Sequence, residues 1–214
     1  MFVGQYGVSF AAKKAEPSIP LWVLFIAVQL LDVLWAPLIL LGIEKVRIVP
    51  GITASNPLDL YYMPYTHSLL AAIGWSVVAF LAYRFAVRSA PPRAAAIVGL
   101  AVFSHWVLDF LVHRPDLPLY DNTAKLGLGL WNFPAVAFGL EAILLFGGMW
   151  LYFRLGTTRR MPMLVFGLVM LGIQAYVFFG PPPASDKAAA ATALVSYAIF
   201  AAIIRALERR PVRP

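Results

Sequence analysis

The 214-residue chain contains no cysteine. A disulfide framework is therefore excluded, and the redox compartment stays open. Charge is also scarce: Asp, Glu, Lys and Arg make up 13% of the residues, against roughly 25% in soluble domains. Hydrophobic residues reach 61%. Together these values leave no room for a separate water-soluble domain. The start reads as lacking a cleavable signal peptide, because no basic segment precedes a long apolar core and a small-residue cleavage site. No internal repeat is visible.

What is present is a series of apolar stretches. A membrane-spanning helix needs about 20 predominantly apolar residues. Six segments meet that length, near 20–43, 65–87, 94–113, 133–153, 162–180 and 188–206. The expected fold is an all-α polytopic membrane protein, a bundle of about six transmembrane helices forming one integral membrane domain over 1–214. Residues 1–19 are too short to span. They are expected to form a short interfacial segment, or to tuck against the bundle. "KAAAATALVSYAIFAAIIRAL" reads as a packing helix whose small residues allow close approach.

The net charge of +7 follows the spans. Lys13 and Lys14 precede the first. Arg84, Arg88 and Arg93 fall between the second and third, and Arg154, Arg159 and Arg160 between the fourth and fifth. Arg205, Arg209, Arg210 and Arg213 end the chain. The other three loops balance: Glu44 and Asp59 against Lys45 and Arg47, Asp116 and Asp121 against Arg114 and Lys125, Asp186 against Lys187. The positive-inside rule then predicts a multi-pass protein of the inner (plasma) membrane with both termini cytoplasmic. The charge is accounted for by topology, and no basic surface domain remains to bind nucleic acid. The long loops 44–64 and 114–132 would both be outside. Tyr61, Tyr62, Tyr65, Tyr120 and Trp131 there read as an interfacial aromatic belt.

Ionisable residues inside spans are costly and mark functional interiors. They are few here. Asp32 lies in the first span, His67 near the start of the second, and His105, Asp109 and His113 in the third. Glu141 lies in the fourth. Under the expected topology all lie in the outer half, although His67 looks a turn shallower than Asp32. Gln29, three residues before Asp32, would share its helix face. Gln174 is the other deep polar group. His105 and Asp109 are separated by about 40° and about 6 Å on a helix, so both can reach one cation. Histidine with aspartate suits a divalent metal such as zinc. The candidate ligands are Asp32, His67, His105, Asp109 and His113. Asp32 and Glu141 are candidate catalytic carboxylates. Other uses stay open: a proton or ion path, His113 as a snorkelling helix cap, and Glu141 as a structural partner of Arg114 or of a histidine.

"YTHSLL" at 65–70 and "SHWVLDFLVHRPDLPLY" at 104–120 resemble the YdjM-like membrane-bound metal-dependent hydrolase family. That family carries Thr-His-Ser opening one helix, Ser-His-x-x-x-Asp closing the next, and an acidic motif in an earlier helix. It is distantly similar to the zinc-dependent phospholipase C and single-strand nuclease group. The resemblance covers mainly residues 1–120. It implies Asp32, His67, His105 and Asp109 as metal ligands and, more loosely, His113 and Glu141. Two departures stand out. Gln5 and Tyr6 occupy the region where the family has a histidine, and Asp32 replaces a doubled acidic motif. The implied function is metal-dependent hydrolysis, here of an ester or phosphoester; the depth of the candidate residues suits a lipid-like substrate, with access expected around Tyr61 and Tyr120. The alternative is a non-catalytic membrane subunit with a membrane-protein partner, or less readily a small permease.

Overall fold

The computed structural model describes residues 1–156 and 159–208. Arg209, Arg210 and Arg213, used above for topology, lie outside the described residues. Among the described residues eight α-helices run in the order α1 (Gln5–Ala15), α2 (Leu21–Val28), α3 (Leu30–Leu40), α4 (Leu69–Ala86), α5 (Pro92–Val112), α6 (Pro134–Phe153), α7 (Arg160–Phe179) and α8 (Asp186–Glu208). Between α3 and α4 lie the strands β1 (Lys45–Ile48) and β2 (Leu58–Tyr62), paired antiparallel. The protein is an all-α membrane protein. Helices α4 to α8 are each long and apolar enough to cross a bilayer, and α2 with α3 makes a sixth span if taken together.

Local sequence explains most of the boundaries. Pro92 and Pro134 open α5 and α6, where a missing N–H costs nothing. Ser68 caps α4 by accepting from the N–H of Ala71. The first span differs from expectation. It is broken at Gln29 and bent by 53°. No proline or glycine sits at the break. The break has a tertiary partner: His105 Nδ1 lies 2.7 Å from the Val28 carbonyl oxygen, and a side chain inserted into the ladder in this way opens a helix. The expectation that Gln29 and Asp32 share one continuous helix face therefore fails.

The N-terminal segment is not interfacial. It takes the other expected course and goes further, filling the bundle interior. Val3, Tyr6 and Phe10 are buried. Tyr6 and Phe10 pack on Phe25 from α2, and Phe10 also on Tyr152 from α6. The closest crossing is at glycine. A Cβ on Gly148 would lie 2.0 Å from the Gly7 carbonyl oxygen, and one on Gly7 would lie 2.0 Å from that of Leu144. Only two glycines permit α1 and α6 to meet this closely. By contrast, α4 is peripheral: Leu70, Ile73, Val77, Val78 and Phe85 are exposed, as lipid-facing side chains are.

The hairpin, the loop 113–133 and the loop 180–185 gather at one end of the bundle, the loop end. Ser55 donates to the carbonyl of Trp131 there. Asn122 and Lys125 both donate to the carbonyl of Tyr61. At the opposite end Lys13 pairs with Glu208 and Arg93 with Glu16.

Candidate metal centre

Helix α5 supplies His105 and Asp109 one turn apart on a buried face. Asp32 comes from α3, just past the break. His67 comes from no helix. The expected span beginning at 65 begins instead at Leu69, and residues 63–68 form a turn that dips into the bundle. This turn brings His67 to the depth of Asp32 and removes the apparent mismatch.

Asp32, His67 and His105 each offer a ligand atom within 4.8 Å of the others. His67 Nε2 is 3.2 Å and His105 Nε2 is 3.7 Å from Asp32 Oδ1. Asp109 Oδ2 faces three imidazoles, at 3.2 Å from His105 Nε2, 3.5 Å from His113 Nε2 and 3.8 Å from His67 Nε2. Asp109 Oδ1 pairs with the amino group of Met1 and accepts from Gln5 Nε2 at 3.0 Å. Four of the expected ligands thus converge, and His113 joins through Asp109.

The other nitrogen of each ring decides the chemistry. His105 Nδ1 lies 2.7 Å from the carbonyl oxygen of Val28. A carbonyl only accepts, so Nδ1 carries the proton. His113 Nδ1 lies 2.8 Å from Asp116 Oδ1, with the same consequence. His67 Nδ1 lies 2.7 Å from Thr66 Oγ1, which is itself 2.6 Å from Glu44 Oε2. The hydroxyl has one hydrogen, which the Glu44 carboxylate takes, so Thr66 accepts from Nδ1–H. Each Nε2 then faces a carboxylate oxygen: a neutral ring would offer it a lone pair, and only a cation or a ring proton can bridge the two. His105 Nε2 is buried and has no hydrogen-bond partner. An orphaned imidazole nitrogen, two carboxylates and pinned Nδ1–H groups are the donor set of a divalent-metal site with its supporting shell. The residues present fit such an ion.

Glu141 does not join this cluster directly. Its carboxylate accepts from the backbone N–H groups of Phe2 and Gly4 and from Gln174 Nε2. It anchors the N-terminal segment, and its partner is neither Arg114 nor a histidine. Arg114 instead pairs with Asp59 and approaches Asp116 at 3.3 Å. His113 does close α5, but it is buried against Asp116 and the Trp131 ring and does not snorkel.

Sequence reasoning missed several site residues. Glu44, Asp59 and Asp116 read as balanced loop charges in the sequence, yet all three are buried. Tyr197 on α8 donates to Asp32 Oδ2 at 2.6 Å. No local signal marks Glu44, which lies 22 residues from Thr66 in sequence.

A cavity of about 700 Å³ opens on the cluster. Asp32, His67, Asp109 and His113 form one wall, with residues of the β1–β2 connection, the segment after α7, and α7 and α8 among the others. Neither Tyr61 nor Tyr120 lines it, so the expected access around those rings is not observed. No protein-family model, curated protein or solved structure matches the chain.

Proposed function

We propose that the protein is a membrane-embedded metal-dependent hydrolase of ester or phosphoester bonds, with a divalent cation, zinc by ligand type, held by Asp32, His67 and His105 beside Asp109. One observation carries the reading: three Nε2 atoms, on rings whose Nδ1 atoms each lie within hydrogen-bond distance of an oxygen, converge on the carboxylates of Asp32 and Asp109 beside a cavity. The resemblance to the YdjM-like hydrolases in "YTHSLL" and "SHWVLD" supports the same reading. In this reading the protein sits in the inner membrane with both termini cytoplasmic, and the loop end faces outward.

When bound, the cation supplies Lewis-acid chemistry, acidifying water and stabilising charge on the attacked group. The chain does the rest. Val28, Thr66–Glu44 and Asp116 hold the three imidazoles in one tautomer. Asp32 is the carboxylate that reaches the cavity most openly, its side chain 17% exposed against 2% for Asp109. Asp32 turns Oδ1 to His67 and His105 and accepts from Tyr197 at Oδ2, so we assign it as a ligand; the Glu141 oxygens are occupied by the N-terminal segment and Gln174. Purified protein should contain about one equivalent of zinc or a similar ion, and chelation should remove esterase or phosphodiesterase turnover. Metal-free protein with full turnover would overturn the proposal.

A second reading has its own observation. Glu141 ties α6 to the N-terminal segment and α7, and Asp32 ties α3 to α8. These contacts suit a non-catalytic subunit whose buried polar groups lock the helices. Stable recovery in a larger complex without metal would select it.

A further inference from the structure

We infer that the cavity beside the cluster takes one hydrocarbon chain of a neutral or singly charged membrane amphiphile, admitted sideways between α7 and α8. The inference rests on the proposed hydrolase for which end of the molecule reacts; the chain site itself stands on the shape and chemistry of the cavity.

The cavity runs from Asp32 and His67 to the gap between two spans. Ile173, Val177 and Phe178 of α7 face Ala189, Ala193 and Ser196 of α8 across it. α7 is seated on α6, and α8 on α2 and α3, while the two touch each other little. Lining residues near the gap are open to the side: Val177 is 48% exposed and Thr192 is exposed as well. In a spanning bundle that side is lipid. Small side chains on one face of α8 keep the gap open. The Gly180-Pro-Pro-Pro segment closes the loop end of the cavity with a backbone stiffened by proline. An aqueous solute would meet apolar walls, whereas an acyl or isoprenoid chain would find a continuation of the bilayer. The volume, about 700 Å³, falls in the range of roughly 300–1,000 Å³ usual for small-molecule sites.

The polar end of the cavity is formed by Asp32, His67, Asp109 and His113. None of the described lining residues is Lys or Arg. The one other cation among the described lining residues, the Met1 amino group, is already paired with Asp109, so a dianionic phosphomonoester would find no unpaired counter-charge beyond the metal, and a carboxylic ester or a phosphodiester is the favoured class.

The test uses full-length protein in nanodiscs doped with a phosphatidylglycerol carrying a diazirine near the end of one acyl chain. Photolysis should give adducts on peptides spanning 173–178 and 188–197. Ala193→Trp should reduce those adducts about tenfold, as filling an occupied groove does. Val195→Trp, on the exposed face of the same helix, should leave them unchanged. Should Ala193→Trp fail to fold, excess unlabelled lipid of the same head group must suppress the wild-type adducts. Adducts confined to the exposed face of α4, or insensitive both to Ala193→Trp and to competitor, would overturn the inference. Groove adducts on a protein without metal or turnover would confirm the chain site and sink the hydrolase. Metal and turnover on short soluble esters without groove adducts would do the reverse.

Discussion

The carbonyl oxygen of Val28 accepts from Nδ1 of His105 at 2.7 Å. A continuous helix would have committed that oxygen to the N–H of Asp32. The 53° break between α2 and α3 thus frees a backbone acceptor that sets a ring tautomer. The distortion of the first span and the chemistry of the third are one arrangement.

His105→Ala and Asp109→Asn should each lower bound metal by at least tenfold, as loss of a ligand or of its charge does. Asp109→Asn keeps the shape, so its monodisperse yield should stay near wild type. Elemental analysis after gel filtration provides the measurement. Equal metal content in wild type and both variants would remove the assigned site.

Thr66→Val deletes the hydroxyl that links His67 to Glu44 while keeping the side-chain shape. Loss of such a supporting group typically weakens metal affinity by about 10–100-fold. Glu44→Gln should fall in the same range. Competition against a chromophoric chelator reads both. No change would mean that His67 is oriented by packing alone.

Gly148→Ala should destabilise the protein by about 1–3 kcal/mol through overpacking, because its Cβ would lie 2.0 Å from the Gly7 carbonyl oxygen. Gly147→Ala, with open space around its Cβ, serves as the control and should be neutral. Thermal unfolding in detergent compares the two. If α1 is displaced, Glu141 also loses its backbone donors, so the loss should exceed that of a plain core clash.

Orientation can be read by labelling. Thr123→Cys in the loop after α5 should react with an impermeant thiol reagent applied to intact cells, and Ser89→Cys between α4 and α5 should react only after permeabilisation. The chain has no cysteine of its own, so each signal has a single source. The inverse pattern would reverse the topology and turn the cavity towards the cytoplasm.

Zinc added to metal-stripped protein should raise its thermal midpoint, because a ligand that binds only the folded state stabilises it by mass action. The same titration on Asp109→Asn should give a much smaller rise. Equal rises in both would place the bound ions elsewhere.

Much of this protein follows from its sequence alone. Long apolar runs with few charges can only become spanning helices, because a bilayer offers backbone groups no partner outside the helix. His105 and Asp109 stand out for a related reason: an ionisable group inside a span is too costly to be incidental. The rest required the tertiary structure. Glu44, Thr66 and Asp116 look like ordinary loop residues, and only the inward dip of 63–68 and the turn after α5 desolvate them. Gln29 carries no local signal for a break, since glutamine is a good helix former; the break goes with the tertiary contact of His105 on the Val28 carbonyl. Residues 1–15 are too short to span and too apolar to be solvated, so their sequence admits two positions. Packing of Gly7 against Gly148 and the grip of Glu141 on two backbone N–H groups select the interior. The span pattern is legible because each helix satisfies it independently. The site depends on contacts between segments up to 165 residues apart, which no local pattern encodes.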